Sequence, residues 1–141
     1  VQHVGVMILE GNAGHAFHKV DGSHPGYYCS NVVNRNYWAV TAACLMMRRE
    51  LFAQIGGMDE QFPINYNDVD LCLTLHQAGY RNVMTPFARL LHYESASRAE
   101  GLQPREWITL NQKWGNYFKQ LGCDPYYNPN LSYRSAMFDL A

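Results

Sequence analysis

The sequence predicts an α/β fold with few strands, and three observations support it. Short apolar runs of the length buried strands use occur at residues 4–9, 37–48, 82–85 and 88–93. Between and after them lie two segments of helical spacing, 68–78 and 105–121. Each of these stops at a glycine, Gly79 and Gly122, as helices do when the chain must turn left-handed. Strands alternating with helices give an α/β chain, but the strands are too few for a complete sheet. The 141 residues therefore read as part of a larger domain.

Residues 4–9 (VGVMIL) form a short apolar run suited to a buried strand. Residues 11–26 are rich in Gly and His, lack periodicity and end in Ser-His-Pro-Gly, so a long loop is expected. Residues 37–48 (YWAVTAACLMMR) open with β-branched and aromatic residues, pointing to a buried strand or tight hairpin. A short helix over 49–55 ends at Gly56 and Gly57. Asn65 or Asn67 is placed to cap the next helix, 68–78, with Leu71, Leu75 and Ala78 on one stripe and Val69 and Cys72 beside it. Pro86 separates two short strands, 82–85 and 88–93. The last helix opens behind Pro104 and carries Trp107, Leu110, Trp114, Tyr117, Phe118 and Leu121 at helical spacing. Pro125 and Pro129 make the tail from residue 124 extended or turn-like. No internal repeat is present.

Composition excludes several classes. Apolar residues are 48% and charged residues 16%, which rules out a disordered or highly charged chain. A net charge of −1 and the lack of a Lys/Arg run give no purchase on nucleic acid or an anionic membrane. The longest apolar stretch, 39–47, falls short of the ~20 residues a membrane span needs. No signal-peptide pattern opens the chain, and Val1 reads as an internal cut. The cysteines form no CxxC pair, and Cys44 and Cys72 sit in apolar runs, so buried reduced thiols are expected. Ten tyrosines, with pairs at Tyr27–Tyr28 and Tyr126–Tyr127, suit sugar or peptide surfaces and half-buried positions equally.

The chemistry concentrates in residues 65–98. Asp68 and Asp70 fall in the first turn of a helix, where the dipole favours the ionised carboxylate. An ionised carboxylate serves as a base; the plainer role is to stabilise the helix by ~0.3–1 kcal/mol. Asp70 projects roughly 200° around the helix from Asp68, so capping or a salt bridge suits it better than a shared task. His92, at the end of the second strand, suits a metal or a phosphate, or a satisfied buried position. Arg98 suits phosphate neutralisation. Trp38 fits either a sugar-stacking or a core position. His15 and His18 have a spacing some metal sites use, but no Cys or acidic partner nearby, which favours an ordinary loop pair. Trp107, Trp114 and Phe118 read as helix packing rather than a sugar platform.

An ordered set of motifs then narrows the reading. Thr41-Ala42-Ala43-Cys44-Leu45, Arg48-Arg49-Glu50, Gly56-Gly57-Met58-Asp59-Glu60, Asn67-Asp68-Val69-Asp70-Leu71-Cys72-Leu73, Ala78-Gly79-Tyr80 and His92-Tyr93-Glu94-Ser95 follow one another closely. Together they resemble the C-terminal half of family 2 glycosyltransferases of bacterial type, which have a GT-A, Rossmann-like fold. The match is dense over 38–98 and looser at Gln2-His3-Val4-Gly5-Val6, at Gly14-His15 and in the tail.

The resemblance implies that residues 1–141 are the acceptor-side half of such a domain, a few strands flanked by helices, with 124–141 an extended tail. It implies an inverting enzyme of polysaccharide or cell-envelope biosynthesis, cytoplasmic and at the inner face of the membrane. The partners implied are a nucleotide-sugar donor and a saccharide or lipid-linked acceptor. Asp68 matches the family's general base, and His92 a metal or diphosphate contact. Thr41, Ala42 and Trp38 match a substrate-facing segment, to which Asp70 and Arg98 are added as substrate contacts. A divalent metal, Mn or Mg, is expected in the full-length enzyme, held by an Asp-x-Asp motif that no residue upstream of Asp68 supplies. The isolated chain is accordingly expected to be inactive. The acidic residue that usually precedes the base is Asn67 here, and Ala42 stands where relatives often carry Gly. Those departures keep a second reading open, a non-catalytic carbohydrate-binding or interaction module. A nucleotidyltransferase-like domain is disfavoured by the lack of a basic phosphate loop. Uncovered runs at 4–9, 40–47 and the aromatic face of the last helix are expected to drive homo-oligomerisation.

Overall fold

Val6, Met7 and Ile8 are buried almost completely and set the centre of the fold. In the computed structural model, which describes residues 1–10, 12–93 and 104–141, they lie on β1 (Val6–Leu9). There follow β2 (Asn12–His15), β3 (Arg35–Tyr37), α1 (Arg49–Gln54), α2 (Asn67–Gln77), β4 (Asn82–Met84) and α3 (Pro104–Leu121). The fold is mixed α/β. β1 pairs antiparallel with β2, and β3 with β4, in two two-stranded sheets. A single bridge between Val6 and Ala39 joins them, through Val6 N–H to Ala39 O at 2.8 Å and Ala39 N–H to Val6 O at 3.3 Å.

The β1–β2 hairpin corrects the long loop expected after residue 11. Asn-Ala-Gly-His has neither β propensity nor alternation, so pairing rather than local preference makes it a strand. A Cβ at Gly14 would stand 2.8 Å from the tip of the Leu9 side chain, which would have to shift to admit it. The run 37–48 is also not one strand. Beyond Ala39 the chain turns at a 3-10 segment, Ala42–Cys44, where the Thr41 hydroxyl accepts from the Ala43 N–H at 3.2 Å. This exposes Cys44, against expectation, whereas Cys72 is buried and its thiol is pushed up to about 12 by that burial. Residues 88–93 are exposed and form no strand; among the described residues no strand edge pairs with them.

α2 is sandwiched rather than amphipathic. Val69, Cys72 and Leu73 pack with Trp38, Leu110 and Trp114, while Leu71 and Leu75 pack with Leu51 of α1. No asparagine side chain caps it; Tyr66, with φ of 61°, precedes the first turn. α3 closes the main core with Leu110 and Trp114. The tail from residue 124 is turn-rich and folded back: Tyr127, Leu131 and Phe138 share a second core with Met7, Phe17 and Tyr37. Most of 4–9 is therefore covered within the chain, as are Leu110 and Trp114 of the last helix, whereas 40–47 stays largely exposed. Among the most exposed apolar side chains are Met46, Phe87, Leu90 and Leu91.

Two buried carboxylates fix the helices. Glu106 of α3 accepts from the Ile64 and Asn65 N–H groups at 2.9 and 3.1 Å and from Asn65 Nδ2 at 2.8 Å. Burial pushes its carboxyl up, and these three donors more than reverse that shift. Asp70 of α2 accepts from Trp114 Nε1 at 2.7 Å and pairs with Lys113 at 2.8 Å; Lys113 also reaches Asp59 at 2.8 Å.

Glu106→Ala is expected to cost about 3 kcal/mol, because three donors lose one buried acceptor; urea denaturation measures it. Asp124 is only 3% exposed, and burial raises its carboxyl to about 6 despite hydrogen bonds from the Tyr126 and Ile8 N–H groups. The folded chain thus binds that proton more tightly than the unfolded chain, so ionisation destabilises it as pH rises from about 4 through about 6. Thermal unfolding of Asp124→Asn should shift in the variant's favour, relative to the parent, by on the order of 2 kcal/mol between these limits. A pH-independent difference would refute the assignment.

Candidate functional site around Asp68

Asp68 enters the site because two turns meet. Tyr66 adopts the left-handed region and starts α2 abruptly, which places Asp68 in the first helical turn. Its Oδ1 accepts from the Val69 N–H at 2.9 Å, and its own N–H donates to Asn67 Oδ1 at 2.8 Å. Its Oδ2 accepts from the Ala42 N–H at 3.1 Å, across 26 residues of chain. The Thr41 hydroxyl, bonded to the Ala43 N–H, shapes the turn that aims this donor. Thr41, Ala42 and Asp68 are thus brought together as expected. Asp68 is half-buried, and a carboxylate has more lone-pair sites than these two donors use, so it retains acceptor capacity.

Three histidines gather on the same side. His3 and His15 place their Nδ1 atoms 3.1 Å apart, and the His92 ring lies edge-on to His3 with centroids 5.2 Å apart. The His18 ring centroid is 6.2 Å from that of His15. His3 is pushed down to about 4, first by burial and then by repulsion from His15 and His92; Asp68 pulls it the other way. Its Nε2 is buried and has no hydrogen-bond partner. From the sequence, His15 and His18 read as an ordinary loop pair, and His3 carries no role. Only the hairpin brings them together: its register sets His15 opposite Val6, close to the chain's opening residues.

Other expected site residues lie elsewhere. Asp70 is 3% exposed and held by Trp114 and Lys113, so it is a structural anchor and not a substrate contact. The expected salt-bridge role stands, with Lys113 in place of an arginine. Trp38 is 2% exposed, packed near Phe118 and His76, and cannot present a face to a sugar. His92 is exposed on irregular chain rather than at a strand end. Arg98 lies outside the described residues.

Mn²⁺ and Mg²⁺ prefer oxygen ligands, whereas imidazole suits later transition metals. Around Asp68 the donors are imidazoles and one carboxylate already engaged by backbone N–H groups. Among the described residues no group of three His, Cys, Asp or Glu side chains could hold a metal ion. These residues alone do not fit Mn²⁺ or Mg²⁺.

The chain is similar to three curated proteins of known name. It is 43% identical over 141 residues to Uncharacterized protein y4gI of Sinorhizobium fredii, covering 94% of this chain and 15% of that protein. It is 40% identical over 136 residues to O-antigen biosynthesis protein RfbC of Myxococcus xanthus, covering 94% of this chain and 10% of that one. A 74-residue stretch is 35% identical to N-acetylglucosaminyl-diphospho-decaprenol L-rhamnosyltransferase of Mycobacterium tuberculosis, covering 52% of this chain and 24% of the transferase. The chain thus spans a quarter or less of the length of each of these relatives. No family model matches it, and no solved structure does.

The depressed value of His3 has a signed consequence. The unfolded chain binds the His3 proton below about 6.5 while the folded chain resists it down to about 4, so the folded state loses stability as pH falls across that window. Imidazole NMR resonances should give His3 a midpoint near 4, rising towards the ordinary value in His15→Gln. An ordinary midpoint for His3 in the parent would dissolve the cluster.

Proposed function

We propose that the chain is the acceptor-side, base-bearing part of an inverting, family 2 glycosyltransferase with a GT-A fold. The observation that carries this reading is the Asp68 carboxylate at the start of α2, steadied by the Ala42 N–H and near His3, which His15 and His92 adjoin. The names of two relatives, an O-antigen biosynthesis protein and an L-rhamnosyltransferase, support it.

In this reading Asp68 takes the proton from an acceptor hydroxyl as that oxygen attacks the anomeric carbon of a nucleotide-activated sugar. The bond from that carbon to the diphosphate breaks on the opposite face, and the configuration inverts. The Ala42 and Val69 N–H groups hold the carboxylate in one orientation, so the base needs no rearrangement before reaction. His92 faces the diphosphate or its metal. The oxygen ligands that Mn²⁺ or Mg²⁺ requires belong, in this reading, to parts of the longer protein beyond these residues. The acceptor is a saccharide or lipid-linked saccharide, and the setting is the cytoplasmic face of the membrane. No helix among the described residues is long and apolar enough to cross a bilayer.

One observation favours a second reading. Both Asp68 oxygens accept backbone N–H groups, which is also what a purely structural turn-capping aspartate in a non-catalytic carbohydrate-binding module would do. The two readings part at one substitution. In the full-length protein, Asp68→Asn should lower turnover by at least ~10²-fold while leaving donor affinity nearly unchanged. Wild-type turnover in that variant would remove Asp68 from the mechanism and favour the module.

A further inference from the structure

Between the turn at Tyr27–Cys29 and the folded-back tail lies a cavity of about 290 Å³ that shares no residue with the Asp68 site. We propose that this cavity is a saccharide-binding subsite that takes a single pyranose ring.

Its walls are aromatic. Tyr28 is 88% exposed, with its ring edge-on to Tyr27 at 4.8 Å; Tyr27 in turn stacks on Phe138 at 5.4 Å. Nothing in the core requires Tyr28 to be there, and the backbone that presents it is strained. Tyr28 and Cys29 have consecutive φ values of 47° and 62°, and Phe138 on the facing wall has 63°. Each such non-glycine residue costs roughly 1 kcal/mol or more and persists only where its surroundings impose it. Here the Ser30 N–H to Tyr27 O bond at 3.0 Å and the Asn31 N–H to Pro25 O bond at 2.9 Å impose it.

The polar groups are the second observation. Asn128 donates to the Tyr27 hydroxyl at 3.1 Å, and Arg35 donates to Tyr126 O at 2.9 Å while its guanidinium lies 5.4 Å from the Phe138 ring centroid. Flat apolar faces beside hydroxyl and amide groups match the two sides of a sugar ring, one of C–H groups and one of hydroxyls. Arg35 is the single charged side chain among the lining residues, too little positive charge for a diphosphate. The volume suits one ring rather than a chain of them.

The inference goes beyond the transfer reading and is tested without any donor. Saturation-transfer NMR on the 141-residue chain uses the methyl pyranosides of rhamnose, glucose, galactose and N-acetylglucosamine, with free uridine and thymidine as competing aromatic-stacking probes. At least one pyranoside should bind, and Tyr28→Ala, which alters an exposed side chain, should weaken it at least ~10-fold. Asn128→Ala, which removes the amide beside the Tyr27 hydroxyl, should weaken it severalfold. Asp68→Asn should bind as the parent does, which separates failure of this site from failure of the transfer reading. No binding by any pyranoside at tens of millimolar overturns the proposal. Binding that survives both cavity variants, or a preference for the nucleosides, overturns it as well.

Discussion

The structure depends on two buried carboxylates that bind α3 to the beginning of α2. Glu106 gathers three donors from Ile64 and Asn65, and Asp70 gathers Trp114 and Lys113. Hydrogen bonds to charged groups are worth roughly twice neutral ones, and unpaired buried charges are costly, so this arrangement tolerates little displacement. Its consequence is positional. Asp68 lies between these ties, so the first turn of α2 is set by α3 from one side and by the Ala42 turn from the other. A carboxylate meant to act on a substrate gains from such a frame, because its orientation is fixed before any ligand arrives.

Electrostatics pull the fold in opposite directions across mildly acidic pH. His3 resists protonation because it is partly buried among other imidazoles, and Asp124 resists ionisation because it is buried near the tail. Acid weakens the fold through His3, while rising pH weakens it through Asp124. Both groups touch β1 or the residues leading into it, so the strand at the centre of the fold carries opposed pH sensitivities. Such groups are tolerated where proximity to other residues matters more than stability.

The left-handed residues form a pattern of their own. Tyr66 uses that conformation to start α2 without an asparagine cap, and Tyr28 and Cys29 use it to turn a tyrosine outward. The first serves the Asp68 site and the second serves the cavity by the tail. Phe17 and Phe138, both buried in the second core, adopt it too, so the conformation is not confined to exposed positions.

The sequence by itself determined what a dozen neighbouring residues can encode. β1, α2, β4 and α3 were legible from apolar spacing and from the glycines and prolines that bound them, and Asp68 at the start of α2 was legible with them. Contacts across long stretches of chain were not, because they depend on which surfaces meet. Asn-Ala-Gly-His became a strand only because β1 offered it an edge, and residues 88–93, with more strand-like composition, found none. Trp38 and Asp70 looked like substrate contacts until packing against α3 enclosed them. His3, His15 and His92 carry no mutual signal along the chain, and only the hairpin and the return of the chain after β4 bring them to Asp68. Local periodicity fixes the elements, whereas the meeting of distant imidazoles and carboxylates is decided by how those elements bury their apolar faces.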